Sequence, residues 1–206
     1  MTATAGEVPT GNTFDKYGSA NPVVRRLMAR FVRDAGALVE RAAPASMLDV
    51  GCGEGVLTER WARLLAPGRV HGVDLDDPKL RALWARRNRV SNLSFEAMLA
   101  DSLDFPDGAF DCVAATEVLE HLPDPEGVLR EMTRVADRWL LVSVPREPLW
   151  RALNLIRGAY VTAAGNTPGH LNHWSRASFV ALMATYGEII EVRAPLPWTM
   201  LLVRVG

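Results

Sequence analysis

Between Pro22 and Arg41 the apolar residues fall at Val24, Leu27, Met28, Phe31, Val32, Ala35, Leu38 and Val39. Steps of three and four predict a helix with one buried stripe. Beyond it, short apolar runs alternate with amphipathic stretches of roughly ten residues, as a chain of strands and helices requires. The pattern predicts strand Met47 to Gly51, helix Gly55 to Ala66, strand Arg69 to Asp74, helix Pro78 to Asn88 and strand Leu93 to Ala97. It continues with strand Phe110 to Thr116, helix Pro125 to Ala136 and strand Arg138 to Val144. Pro67 and Gly68 end one helix, and Pro78 opens the next at a first-turn position. Strands separated by helices imply right-handed crossovers and a parallel sheet covered on both faces, an α/β fold.

The rhythm breaks at "PREPLWRALNLIRGAYVTAAGNTPGHLNHW", residues 145–174, which is aromatic and interrupted by Gly and Pro. A long irregular segment inside a compact domain points to function. The chain resumes with helix Ser175 to Tyr186 and strands near Glu188 to Arg193 and Thr199 to Val205. No repeat and no second boundary intervene, so residues 1–206 are expected to form one domain.

Composition narrows the partners. At 206 residues and 49% hydrophobic, the chain can bury one good-sized core. A formal net charge of −1 leaves no basic footprint, so no nucleic-acid partner is expected. The start "MTATAGEVPTGNTF" has neither the basic opening nor the apolar stretch of a signal peptide, and no run approaches the roughly 18 apolar residues of a membrane span. A cytoplasmic location follows as the expectation, with the first dozen residues disordered unless they fold over a ligand. Cys52 and Cys112 lie in apolar text without metal-ligand spacing and read as free thiols.

The candidate chemistry begins with "MLDVGCGEGVL", which places Gly51, Gly53 and Gly55 directly behind the first strand. Parallel sheets open their ligand crevice there, and glycines permit positive φ and close approach to bare backbone. The expectation is a ligand lying against that backbone, although a tight turn that binds nothing gives the same three glycines. The order D-x-G-x-G-x-G differs from the dinucleotide fingerprint G-x-G-x-x-G, and no Gly-Lys-Ser/Thr follows. Asp49, with Glu54 in the first helical turn, would repel a pyrophosphate, so a cationic ligand suits the place better.

Asp74 ends the second strand, where a carboxylate accepts from a ribose diol. Capping of the next helix falls to Asp76 or Asp77. Asp101 follows the third strand and either accepts from an exocyclic adenine amine or bonds its own loop.

Taken together, "LDVGCGEGVL", "VHGVDL", "ADSLDFPDGAFDCV" and "EVLEHLPDPEGVLREMTRV" resemble the class I S-adenosylmethionine-dependent methyltransferases, most closely the small-molecule branch that includes the quinone-biosynthesis enzymes. The resemblance covers about Asp15 to Arg193 and is strongest from Met47 to Val135. It implies a Rossmann-like seven-stranded sheet in order 3-2-1-4-5-7-6 with the last strand antiparallel. S-adenosyl-L-methionine is the implied cofactor. Asp49, Gly51, Cys52, Gly53 and Gly55 match the motif around its methionine part, Asp74 and Leu75 its ribose and adenine, and Asp101 and Ser102 the adenine edge. Glu117 falls at the boundary between cofactor and acceptor. The early "DKYGSANPVVRRLMARF" resembles a helical lid, with Tyr17 as a contact. The Pro-Gly-Gly turn of many relatives is absent before the fifth strand, where this chain reads "VADRWLLVSVP".

Methyl transfer asks mainly for alignment, with a base where the nucleophile is a hydroxyl. The candidate bases are His121, His170 and His173, while His71 inside the second strand reads as packed. His170 and His173 have neither carboxylate nor cysteine beside them, so no metal is expected. Trp150, Tyr160 and Trp174, with Leu149, Leu153, Leu155 and Ile156, offer an apolar wall to an aromatic or apolar small-molecule acceptor. The alternatives are a methyltransferase acting on RNA or protein and a binding protein without turnover.

Overall fold

The computed structural model describes residues 19–87, 89–156, 158 and 160–206. Helix α1 (Pro22–Ala42) starts at Asn21, whose side chain accepts from Val23 and Val24 N–H while Pro22 occupies the first turn. Then follow β1 (Ser46–Val50), α2 (Val56–Leu65), β2 (Arg69–Asp74), α3 (Pro78–Arg87), β3 (Leu93–Ala97) and β4 (Phe110–Thr116). A 3-10 turn (Leu119–His121) leads into α4 (Pro125–Val135) and β5 (Ala136–Pro145). The last elements are α5 (Leu149–Ile156), α6 (Arg176–Met183), β6 (Glu188–Arg193) and β7 (Trp198–Arg204).

The strands form one sheet in the order β3-β2-β1-β4-β5-β7-β6. β1 pairs parallel with β2 and β4, and β4 with β5, whereas β7 runs antiparallel to both β5 and β6. This is the expected topology, and the strand ranges from β2 to β4 coincide with those read from the alternation. β5 starts two residues early because α4 passes straight into it, with no intervening turn.

Side chains of β1 separate by parity, as a pleated strand between two helical layers must. Leu48 and Val50 join α4 and α6 in one core, through Val128, Leu129, Met132, Phe179 and Met183. Met47 joins α1 and α2 in the other, through Phe31, Leu38, Trp61 and Ala62. Asp49, on the same side as Met47, is buried as well. Helix α1 is therefore part of a core layer, and Met28 and Phe31 on it border the ligand crevice. Residues 15–18 of the segment expected to act as a lid, Tyr17 included, lie outside the described residues.

Candidate active site

A crevice of about 630 Å³ opens at the carboxyl ends of β1, β2 and β4. Asp49, Gly51, Cys52, Gly53, Asp74, Leu75, Asp101, Glu117 and His121 all line it. Gly55 and Ser102 are absent from that lining.

The glycine turn has a physical cause inside the fold as well. Gly51, Gly53 and Gly55 do adopt positive φ, at 70°, 54° and 74°. Yet a β-carbon on Gly51 would overlap the side chain of Val118, and one on Gly55 would stand 2.6 Å from the Phe95 ring. At these two positions the protein's own side chains already demand a residue without a β-carbon, while Gly51 and Gly53 also line the crevice. Glu54 also sits before α2, whose first-turn acid is Glu59.

Two residues that the sequence did not single out hold this turn. Trp84 on α3 donates from Nε1 to the Gly53 carbonyl at 2.8 Å and stacks on Phe95 at 5.5 Å. Arg87 donates to the Glu54 carbonyl at 2.6 Å and pairs with Glu59. Their only sequence signal was a tryptophan and a cation on an otherwise weakly patterned helix.

Asp74 receives the Gly53 N–H at 2.6 Å and the Leu75 N–H at 2.7 Å, one on each oxygen. Those bonds orient the carboxylate at the crevice wall and leave each oxygen a second lone pair. Burial raises its pKa, partly offset by the two N–H donors. Asp77 caps α3 by accepting from Lys79 N–H at 2.7 Å, so Asp74 is released from that duty as expected.

Asp49 is the more unusual group. Its Oδ2 accepts from the Thr58 hydroxyl at 2.7 Å, while its Oδ1 is buried with no hydrogen-bond partner among the described residues. Burial, helped by the charge of Asp74, raises its pKa to about 7 against the lowering effect of Thr58. A buried carboxylate oxygen at a crevice wall favours a positively charged ligand group, which supplies the missing partner. The Cys52 thiol beside it is pushed up by burial and stays protonated.

The candidate bases part company. His121 lines the crevice and shares a hydrogen bond of 2.9 Å between Nδ1 and the Gly169 carbonyl. His170 is buried behind it, edge-on to the His121 ring at 4.9 Å and stacked with Trp150 at 5.8 Å. His173 is exposed and bonds Asn166 at 2.7 Å. Spacing had grouped His170 with His173, whereas the fold groups His170 with His121. His71 bonds Ser94 across to β3, in keeping with a packed role.

The expected aromatic wall is not part of the crevice. Trp150 packs on Trp198 and Trp174 on Phe179, while Leu153, Leu155, Ile156 and Tyr160 face solvent. The apolar lining beside Glu117 and His121 comes instead from Val118, Leu122, Pro123 and Val128.

Comparison with known proteins agrees with this geometry. The methyltransferase domain family matches residues 48–138. A ubiquinone biosynthesis O-methyltransferase of Methylococcus capsulatus is 31% identical over 170 residues, covering 74% of this chain and 68% of that protein. The chain belongs to the class I S-adenosylmethionine-dependent methyltransferases. A second ubiquinone biosynthesis O-methyltransferase, from Albidiferax ferrireducens, is 35% identical over 125 residues, 58% of this chain and 49% of that one. The chain spans about half the length of several curated relatives it matches. The magnesium protoporphyrin IX methyltransferase of Synechocystis PCC 6803, solved with bound S-adenosylhomocysteine, shares the fold with a TM-score of 0.67 at 18% identity, over 93% of this chain and 91% of that one.

The cofactor of this methyltransferase family is S-adenosylmethionine, and the crevice fits it on its own terms. A buried carboxylate oxygen at Asp49, unpartnered among the described residues, suits a cationic ligand portion, and an oriented carboxylate at Asp74 suits a ribose diol. No described helix is long and apolar enough to cross a membrane.

Proposed function

We propose that this chain transfers a methyl group from S-adenosylmethionine to a small-molecule acceptor of apolar or aromatic character, of the quinone-biosynthesis kind that its curated relatives' names indicate. One observation supports this reading above the others. The crevice joins a carboxylate pair, Asp49 and Asp74, to an apolar end formed by Val118, Leu122, Pro123 and Val128 within one volume of about 630 Å³. That size suits a cofactor beside a small acceptor.

The bound cofactor supplies an activated methyl on a positively charged sulfur. Asp74 would hold the ribose and Asp101 the adenine edge. Asp49 would meet the methionine cation, and Glu117, held at a positive φ of 62°, would mark the boundary with the acceptor. Alignment of the nucleophile is the main demand on the apolar end. His121 is the one candidate histidine in the crevice lining, and its imidazole would take or orient an acceptor proton.

The test is incubation of the purified chain with methyl-labelled cofactor and a panel of phenolic, quinol and amine metabolites, read by mass spectrometry. Label in a phenol or quinol supports the reading. Cofactor binding without label in any panel member defeats the small-acceptor assignment, and NAD binding without S-adenosylmethionine binding defeats the methyl-transfer reading altogether.

A further inference from the structure

Part of the crevice wall, Met98 to Asp101, belongs to a stretch between β3 and β4 that has no helix or strand of its own. Asp101 is exposed there, and its carboxylate bonds no described residue. An aspartate held by neither its own loop nor a neighbour keeps both oxygens for a ligand. Such a group is placed reproducibly only if something fixes the backbone that carries it.

Helix α4 supplies that support. Its Leu129, Met132 and Val135 are fully buried, which anchors the helix in the core. Arg134, in its last turn, uses all five guanidinium N–H groups. Nη1 donates to the Phe105 carbonyl at 2.8 Å and to Asp107 Oδ1 at 2.9 Å, and Nη2 donates to the Leu103 carbonyl at 2.9 Å. The remaining two, on Nε and Nη2, go to Glu131 Oε1 and Oε2, each at 2.9 Å. Glu131 Oε2 also accepts from the Leu103 N–H at 3.2 Å. Both main-chain groups of Leu103, two residues beyond Asp101, are thus held by one ion pair. The Gly108 N–H closes the stretch by donating to the Arg134 carbonyl at 2.9 Å. Arg134 holds the Glu131 carboxyl below the ordinary carboxylate range, so the pair stays charged.

Burial alone does not call for this arrangement. Leu103 is already packed in the core and Phe105 lies against it. The side chains of Arg134 and Glu131 are 32% and 26% exposed, where an ion pair contributes little net stability. What the pair adds is a fixed backbone direction next to Asp101.

We infer that Glu131 and Arg134 are positioning residues for cofactor recognition, holding Leu103 and Phe105 so that Asp101 meets the exocyclic amine of adenine. Through that placement they set the preference for an amino over an oxo purine. The inference rests on the methyl-transfer reading, with Asp101 at the adenine edge. A carboxylate accepts from the amine, whereas an oxo group facing it is repelled. Lysine in place of Arg134 keeps the charge, but three donors on a flexible stem cannot serve the same fan of acceptors.

The test is calorimetry of the full chain with S-adenosylhomocysteine and with S-inosylhomocysteine, which carries an oxo group in place of the amine. Wild type should bind the adenosyl ligand about 30-fold more tightly, the effect of one hydrogen bond to a charged group. In Arg134→Lys the adenosyl affinity should fall about tenfold while the inosyl affinity moves less than about twofold. Glu131→Gln keeps the shape of the pair and carries the comparison should Arg134→Lys fail to fold, with the preference cut about threefold. A merely structural pair would lower both affinities together. Asp101→Asn should remove the preference by itself, since an amide pairs with either purine, and adding Arg134→Lys should leave the ratio where it is. With an identified acceptor, Arg134→Lys should raise KM for S-adenosylmethionine about tenfold at unchanged kcat.

Equal affinities in wild type, a preference retained in both single variants of the pair, or additive losses in the double variant overturn the inference alone. Wild type that binds neither ligand overturns the methyl-transfer reading and this inference with it, so the two failures are told apart.

Discussion

The two ends of the crevice are made in different ways. The cofactor end is a contiguous device, in which β1, the glycine turn and the tip of β2 bring Asp49, Gly53 and Asp74 together through backbone geometry. Residues 46–74 carry nearly all of it. The other end is assembled across the chain, with the turn after β4 pinned to residues 169–172 by bonds spanning about fifty positions. A short-range motif reports its ligand in its spacing, whereas a long-range clamp shows nothing until both partners are in place.

That contrast can be broken first at Gly51. Its φ of 70° and its contact with Val118 leave no room for a side chain, so Gly51→Ala should cost about 3 kcal/mol of stability, read by urea denaturation. A loss under about 1 kcal/mol would mean the turn adapts freely. Next in size is Asp74→Asn. Loss of charge-assisted bonds to a ribose should weaken S-adenosylhomocysteine binding about 100-fold by calorimetry, with the acceptor clamp untouched. Equal affinity would remove Asp74 as a ribose ligand.

Asn172→Ala attacks the other end. Two amide bonds are lost, worth about 1–2 kcal/mol, and kcat with an identified acceptor should fall about tenfold while affinity for S-adenosylhomocysteine holds. Parallel losses in both quantities would show the ends to be coupled.

The pH dependence of cofactor binding isolates Asp49. Its pKa is raised to about 7, so the folded chain binds a proton there that the unfolded chain gives up near the ordinary carboxylate value. Between those two values the stability contribution of Asp49 therefore falls as pH rises. A cationic ligand must displace that proton below about 7, so affinity should improve up to about tenfold per pH unit toward 7 and then level off. Asp49→Asn should flatten the profile. The smallest effect belongs to Ile156, which is 82% exposed on α5, where Ile156→Ser should change stability by less than about 0.5 kcal/mol.

The crevice's own details show where sequence reading succeeded and where it stopped. Asp74 was legible because a lone acid at the tip of a buried strand has few structural uses once Asp77 caps the next helix. The glycines were located correctly, but the packing that also demands them at Gly51 and Gly55 was not legible, because the Val118 and Phe95 side chains come from beyond β4 and from β3. Trp84 and Arg87, which pin the turn through the carbonyls of Gly53 and Glu54, carried no motif at all. The aromatic segment after β5 looked like an acceptor wall because apolar spacing reveals that a side chain is buried, not what it is buried against.

Alternation and periodicity by themselves determined the α/β architecture and the limits of most strands, and motif spacing located the cofactor end, since each depends on residues within about one strand–helix unit. Which histidine meets which, where Trp150 points and what closes the apolar end were decided only by the tertiary structure. The reason is physical: side-chain period specifies a face within one element, but a pair such as His121 and His170 exists only after β5, α5 and the returning loop have folded back to the turn after β4.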